Sequence, residues 1–338
     1  MRRAAPVGVL LCSLASVLVV SCSDETPTSI AASEPAFAAS APSACEPKTR
    51  PGKIVEKVET PPAWGIAVRD DGLTYFSVPF QDIVGITSTT ARRVIGSIPS
   101  SSWPLGLAFS PDGGTAYVTH LFSNDVGVID VATGQEVAKI PTGDASPFVV
   151  RVSPSGDRVY IATNGNAVLI ASTATNQVEK TVEVGDAPNA FAVHPDGRMM
   201  YVSAFFGGTV SEIDMITETV LRTFFVGGVP QDMAVNKKGN RLYIANEAGF
   251  INEIDLLNGT QLPDIPLKGG GFGIGVTPDD GEAYVAEPGN GLVEVFSLQS
   301  RKLTRTLTVG GEPRRVAFSQ QGRIGAISNM AGFITFVR

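Results

Sequence analysis

The sequence predicts an all-β fold, a seven-bladed β-propeller of four-stranded blades whose last blade is closed by the N-terminal strand, and three observations lead there. The six tyrosines of the chain, Tyr75, Tyr117, Tyr160, Tyr201, Tyr243 and Tyr284, stand 41 to 43 residues apart. A turn glycine lies upstream of each, at Gly72, Gly113, Gly156, Gly197, Gly239 and Gly281, and Gly322 opens a seventh copy. The 338 residues include 36 Gly and 23 Pro but only 17% charged side chains, against roughly 25% in an ordinary globular chain. That balance suits short strands and tight turns and argues against disorder, long helices and coiled coil. A period of about 40–45 residues is that of four-stranded propeller blades.

Residues 1–21 read as an export signal. Arg2 and Arg3 precede an uncharged run of 14 residues, Val7 to Val20, shorter than the roughly 20 residues of a membrane span. The run ends in Val19-Val20-Ser21-Cys22, which resembles a bacterial lipobox, so Cys22 is the expected lipidation site; ordinary cleavage after Ala41 is the alternative. Residues 22–52 are rich in Ala, Ser, Pro and Thr and read as a flexible tether that contains Cys45. Without its two signal arginines the chain carries 24 basic and 33 acidic side chains, a net charge of −9. Such a surface repels nucleic acid and anionic headgroups. The expected location is the outside of the cytoplasmic membrane, held there by lipid.

Residues 53–338 are the propeller. In one unit, Leu105 to Ser110 is a short apolar strand and Pro111-Asp112-Gly113-Gly114 a hairpin turn. Ala116 to Thr119, Val126 to Val131 and Glu136 to Ile140 follow as the second, third and fourth strands. Ser88, Asp130, Ser172, Asp214, Asp255 and Ser297 recur every 41 or 42 residues. Their side chains are expected to start turns by bonding backbone ahead of them. The seventh unit stops after its third strand, Phe333 to Val337, whereas Lys53 to Glu59 has no unit of its own and is similar to the fourth strand Val178 to Glu183. Inserting it into the last blade removes an open sheet edge.

Tyr117-Val118-Thr119-His120, Tyr160-Ile161-Ala162-Thr163 and Tyr243-Ile244-Ala245-Asn246 resemble the Tyr-Val-Thr-Asn motif of the YVTN-repeat β-propeller family. Phe109-Ser110-Pro111-Asp112-Gly113 and Val193-His194-Pro195-Asp196-Gly197 are similar to its turn. The resemblance implies the fold over residues 53–338 and leaves function open among surface-layer proteins, exported binding proteins, and relatives of lactonases and redox-enzyme heavy chains. The first and last units, Tyr75-Phe76-Ser77-Val78 and Ala326-Ile327-Ser328-Asn329, depart from it.

In a repeat protein a site is expected at positions that vary between copies. The residues opening each innermost strand are Trp64, Leu105, Phe148, Asn189, Gln231, Phe272 and Arg314, followed by Gly65, Gly106, Val149, Ala190, Asp232, Gly273 and Arg315. Three residues after the tyrosine position stand Val78, His120, Thr163, Ala204, Asn246, Glu287 and Asn329. All are expected at one mouth of the ring, in two sectors. Loops of blades 1 to 4 carry Trp64, Phe80, Trp103, Leu121, Phe122, Phe148, Phe205 and Phe206; blades 5 to 7 carry Asp232, Glu247, Glu287, Arg314 and Arg315. Exposed aromatics mark interaction surfaces, unless they fold back over the blades as a lid. Ile66, Leu107, Val150, Phe191, Met233, Ile274 and Val316 stay apolar in every copy and read as core.

His120 is either an acid–base group or a stand-in for the motif's asparagine, and His194 belongs to a turn on the opposite face. Arg151 replaces the alanine or glycine of the other blades, either as an anion-binding group in the channel or tied to a neighbouring carboxylate. Three cysteines and two histidines give no zinc, haem or multi-copper arrangement, so no cofactor or metal is assigned. The leading expectation is a non-enzymatic binding or scaffold module presenting its mouth to a protein or envelope component. Its binding residues would be Trp64, Trp103, Phe148, Phe272, Asp232, Glu247, Arg314 and Arg315. The alternative is a propeller-lactonase-like hydrolase or lyase using His120 and Glu287 with Arg151.

Overall fold

Turn chemistry sets the blade. In the computed structural model, which describes residues 53–319 and 324–337, blade 2 runs from its innermost strand Pro104–Phe109 through Thr115–His120 and Asp125–Asp130 to the outermost Gln135–Pro141. Its first hairpin closes when Gly113 takes a left-handed φ of 70°, a conformation costly for residues with a Cβ. Ser110 Oγ accepts from Thr115 N at 2.9 Å, and Asp112 Oδ1 accepts from Gly114 N at 3.0 Å. Ser88, Ser297 and the recurring Asp side chains also act as the sequence predicts, whereas among the described residues the Ser172 hydroxyl makes no such bond to its turn. Asp130 accepts from the amide of Thr133 at 2.7 Å, Asp214 from Ile216 at 2.8 Å, and Asp255 from Leu257 at 3.0 Å.

Seven four-stranded antiparallel sheets result, six of them built from consecutive strands. Blades 1 to 6 span residues 66–99, 104–141, 147–183, 188–225, 230–266 and 274–308. The seventh joins Pro313–Phe318, Gly325–Asn329 and Phe333–Val337 to Ile54–Glu59, which lies outermost. The closing strand pairs Val58 with Ile334 and Glu59 with Phe333. Its alternation of half-buried and exposed positions, with one fully buried residue next to last, is that of the outermost strands of blades 1, 2 and 3. Val58 is that residue, and it packs beside Ile66, Phe76, Ile334 and Phe336.

The core lies between neighbouring blades. Tyr160, Ile170 and Val182 of blade 3, for example, pack against Phe191, Met200 and Val202 of blade 4. All six tyrosines are buried, as are Ile66, Leu107, Val150, Phe191, Met233, Ile274 and Val316. The apolar column is therefore core, and the residues that open the innermost strands are free to face the axis. The expected signal and tether, with Cys22 and Cys45, lie outside the described residues.

Candidate binding site at the channel mouth

Seven innermost strands begin at the same height around one axis, so their first side chains meet although they are far apart in sequence. Trp64 of blade 1 lies edge-on to Phe148 of blade 3, with ring centroids 6.3 Å apart, and to Phe272 of blade 6 at 5.7 Å. The Arg314 guanidinium of blade 7 sits 4.9 Å from the centroids of both Trp64 and Phe272. Arg315 stands 5.1 Å from Phe272. Cation–π and edge-to-face contacts thus close the mouth with a plug of three rings and a cation. The opposite arc is polar: the Asn189 side-chain amide donates to Gln231, and Gln231 Nε2 donates to Glu247 Oε1 at 2.7 Å. Leu105 of blade 2 is buried.

The next column explains how the strands approach so closely. A Cβ at Gly65 would come within 2.0 Å of the Leu105 carbonyl oxygen, and one at Gly273 within 2.1 Å of that of Arg314. Apart from the apolar Val149, where this column is not small it is charged: Arg315 Nη1 pairs with Asp232 Oδ2 at 3.3 Å. Arg151 stands three residues deeper than Phe148. Burial lowers its pKa, Asp232 opposes that, and Arg315 adds to it. Those groups stand on the innermost strands of blades 3, 5 and 7. Burial likewise lowers the pKa of Arg314.

A second aromatic group lies on the loops around the mouth. Phe80, Trp103 and Phe122 form a row with centroids 4.9 and 5.3 Å apart, and Phe205 packs on Phe206 at 4.7 Å. Phe80, Phe122 and Phe206 are 53%, 55% and 58% exposed, so they do not fold back as a lid. Trp103 adopts a left-handed φ of 61° and is pinned where its amide donates to Asp82 Oδ1 at 2.8 Å. The two sectors are therefore separate only at the rim. At the axis Trp64 and Phe148 of the apolar sector pack with Phe272 and Arg314 of blades 6 and 7.

The column after the tyrosines holds loops. Asn246 Oδ1 accepts from the amides of Val229 and Ala248 at 2.8 and 3.1 Å, while its Nδ2 donates to the Gly227 carbonyl at 3.0 Å. Asn329 repeats this with Glu312, Ala331 and Gly310. His120, fully buried, ties down the corresponding link between blades. Its Nε2 is 2.7 Å from Ser100 Oγ and its Nδ1 2.5 Å from Asp125 Oδ1. In blade 6 Glu287 is also buried. It accepts from Asn290 Nδ2 at 3.0 Å, and burial, helped by the buried carboxyl of Glu294, raises its pKa to about 7. His120, Glu287 and Arg151 share no hydrogen bond or ion pair with one another; each has its own surroundings. His194 caps a turn on the other face, where its Nε2 meets the Gly239 carbonyl at 2.8 Å.

Ser100, Asp125 and Glu294 are the neighbours that sequence reasoning passed over. Only the blade register brings them to His120 and Glu287. Clefts of about 450 and 480 Å³ open elsewhere, among hairpin turns around Asp157 and Asp279.

The chain is a seven-bladed β-propeller protein. No family model matches it. The seven-bladed beta-propeller protein Rv1057 of Mycobacterium tuberculosis (strain ATCC 25618 / H37Rv) is 33% identical over 132 residues, 38% of this chain and 33% of that relative. The match thus spans about a third of the relative's length. A solved chain of the Kuenenia stuttgartiensis hydrazine synthase superposes with a TM-score of 0.76 at 19% identity, covering 82% of this chain and 96% of that one. At that identity the likeness concerns the fold alone.

Proposed function

We propose that this chain is an exported, lipid-anchored propeller of the YVTN type that works as a non-enzymatic binding module, presenting its mouth to a protein of the cell envelope. The observation that carries the reading is the row of exposed Phe80, half-buried Trp103 and exposed Phe122, with exposed Phe206 further round the rim. Large aromatics on well-held loops are what protein interfaces use as anchors. The net charge of −9 without the signal disfavours nucleic acid and anionic membrane surfaces, which leaves protein as the partner. The test is capture from envelope extracts by wild type and by the triple variant Phe80→Ala/Trp103→Ala/Phe122→Ala. We expect partners retained by wild type to be lost by the variant at an unchanged melting temperature. Retention of the same partners by both proteins would refute the reading.

One observation favours a hydrolase instead. Ser100, His120 and Asp125 stand in the order nucleophile, base and orienting carboxylate, at 2.7 and 2.5 Å. The same column in blades 5 and 7 carries asparagines that merely clip loops, and His120 has no exposed surface, so the clip is the better account. His120→Asn decides between them, because it installs the residue those blades use. A clip predicts a folded protein and no ester or lactone turnover in either form; turnover in wild type that disappears in His120→Asn and Ser100→Ala would establish the hydrolase.

A further inference from the structure

Beneath the aromatic plug the channel holds more positive than negative charge, the reverse of the protein as a whole. Arg315 of blade 7 pairs there with Asp232 of blade 5, and Arg151 stands on the innermost strand of blade 3, which lines the channel, near enough to feel both charges. Asp232 is engaged twice already: Oδ2 pairs with Arg315 Nη1 at 3.3 Å, and Oδ1 accepts from the amide of Met233 at 3.0 Å. Arg315 Nη2 is buried without a partner, as is Nε of Arg314. No carboxylate lies within ion-pair distance of Arg151 among the described residues. Arg314 is accounted for at the rim, where it pairs with Glu312 at 3.0 Å and stacks on the rings.

A guanidinium withdrawn from water is costly unless something negative replaces its hydration. Arg315 Nη2 is in that position, and half-buried Arg151, on the innermost strand of blade 3 with no carboxylate at ion-pair distance, leaves a second positive charge to be balanced. The planar fork of arginine is suited to the paired oxygens of carboxylate, phosphate or sulfate. The sequence adds a separate indication. The position of Arg151 is filled by Ala67, Ala108, Ala192, Ala234, Gly275 and Ala317 in the other blades, so the fold itself has no use for a long cation there.

We propose that the channel below Trp64, Phe148 and Phe272 is a binding site for a small oxyanion, held between Arg151 and Arg315. Asp232 orients Arg315 and weakens the site's hold on the anion by like charge. The three rings shield the site from bulk water and so strengthen the attraction. This site is independent of the rim aromatics, and its test uses no protein partner.

The experiment is thermal unfolding of the full chain with added phosphate, sulfate or acetate, each against sodium chloride of equal ionic strength. Wild type should be stabilised by at least one of the three in a saturable way. Arg151→Ala, which places the column's usual residue there, should fold and need at least tenfold more of the same anion. Arg151→Lys should recover part of the affinity. Asp232→Asn, which keeps the acceptor for the Met233 amide, should bind more tightly than wild type. Arg151→Ala responding as wild type does, wild type responding to none of the anions beyond chloride, or Asp232→Asn binding no more tightly would each overturn the proposal.

Discussion

Val58 and Val55 lie on the same closing strand and differ in what they face. Val58 is 3% exposed and packs into the cluster between blades 7 and 1, whereas Val55 is 47% exposed. Replacing Val58 by Ala removes two buried carbon groups, at about 0.8 kcal/mol each. A residual cavity adds to that, since the surrounding side chains collapse only partly. The expected loss is about 2 kcal/mol. For a domain of this size, that lowers the melting temperature by roughly 5 °C. Val55→Ala should stay within about 0.5 kcal/mol of wild type, because it removes solvent-facing surface only. The assay is thermal unfolding followed by circular dichroism, with both variants beside wild type. Equal melting temperatures for the two variants would refute the reasoning that this strand is an integral wall of the last blade. Truncation gives the stronger form of the test. Deleting residues up to Thr60 should destabilise far more than deleting residues up to Pro51, since only the first cut bares the edge of Phe333–Val337.

Two further outcomes are expected. Cys22→Ser should leave the protein unprocessed or release it from membranes; a processed Cys22→Ser protein that still fractionates with membranes would exclude lipidation. Glu287, raised to about 7 in the folded protein from an ordinary value of 4.5, contributes stability that is fully present below pH 4.5 and is lost as pH rises through 7. The melting temperature of wild type should therefore fall across that window relative to Glu287→Gln, which carries no such proton; parallel pH profiles for the two would contradict the raised value.

The blades were legible because repetition converts weak local signals into a register. One Tyr or one Ser-Pro-Asp-Gly turn says little, but copies at a fixed spacing place every strand. The same register put Trp64, Phe148, Phe272 and Arg314 at one height on the ring. It could not show that they touch, since contacts across an axis depend on how closely the innermost strands approach, and no local spacing records that. Splitting the mouth into an apolar and a charged half followed from blade number alone. The long side chains of Trp64 and Arg314 cross the axis and join the halves. The partners of His120 and Glu287 were hidden for a different reason. Asp125 and Glu294 stand at positions of the third strand that read as ordinary, and their meaning comes from a neighbour on the second strand, directly opposite for Asp125 and two positions along for Glu294.

Closure by Ile54–Glu59 also fixes an order of events. The first of the described strands to leave the ribosome is among the last to find its place, because its partner, Phe333–Val337, is made about 275 residues later. Until then the ring has a gap, and blades already formed are missing one neighbour. Contacts spanning nearly the whole sequence are slow to form and cannot form early. A ring whose closing strand pairs this late stays open, with one blade edge bare, until Phe333–Val337 is available.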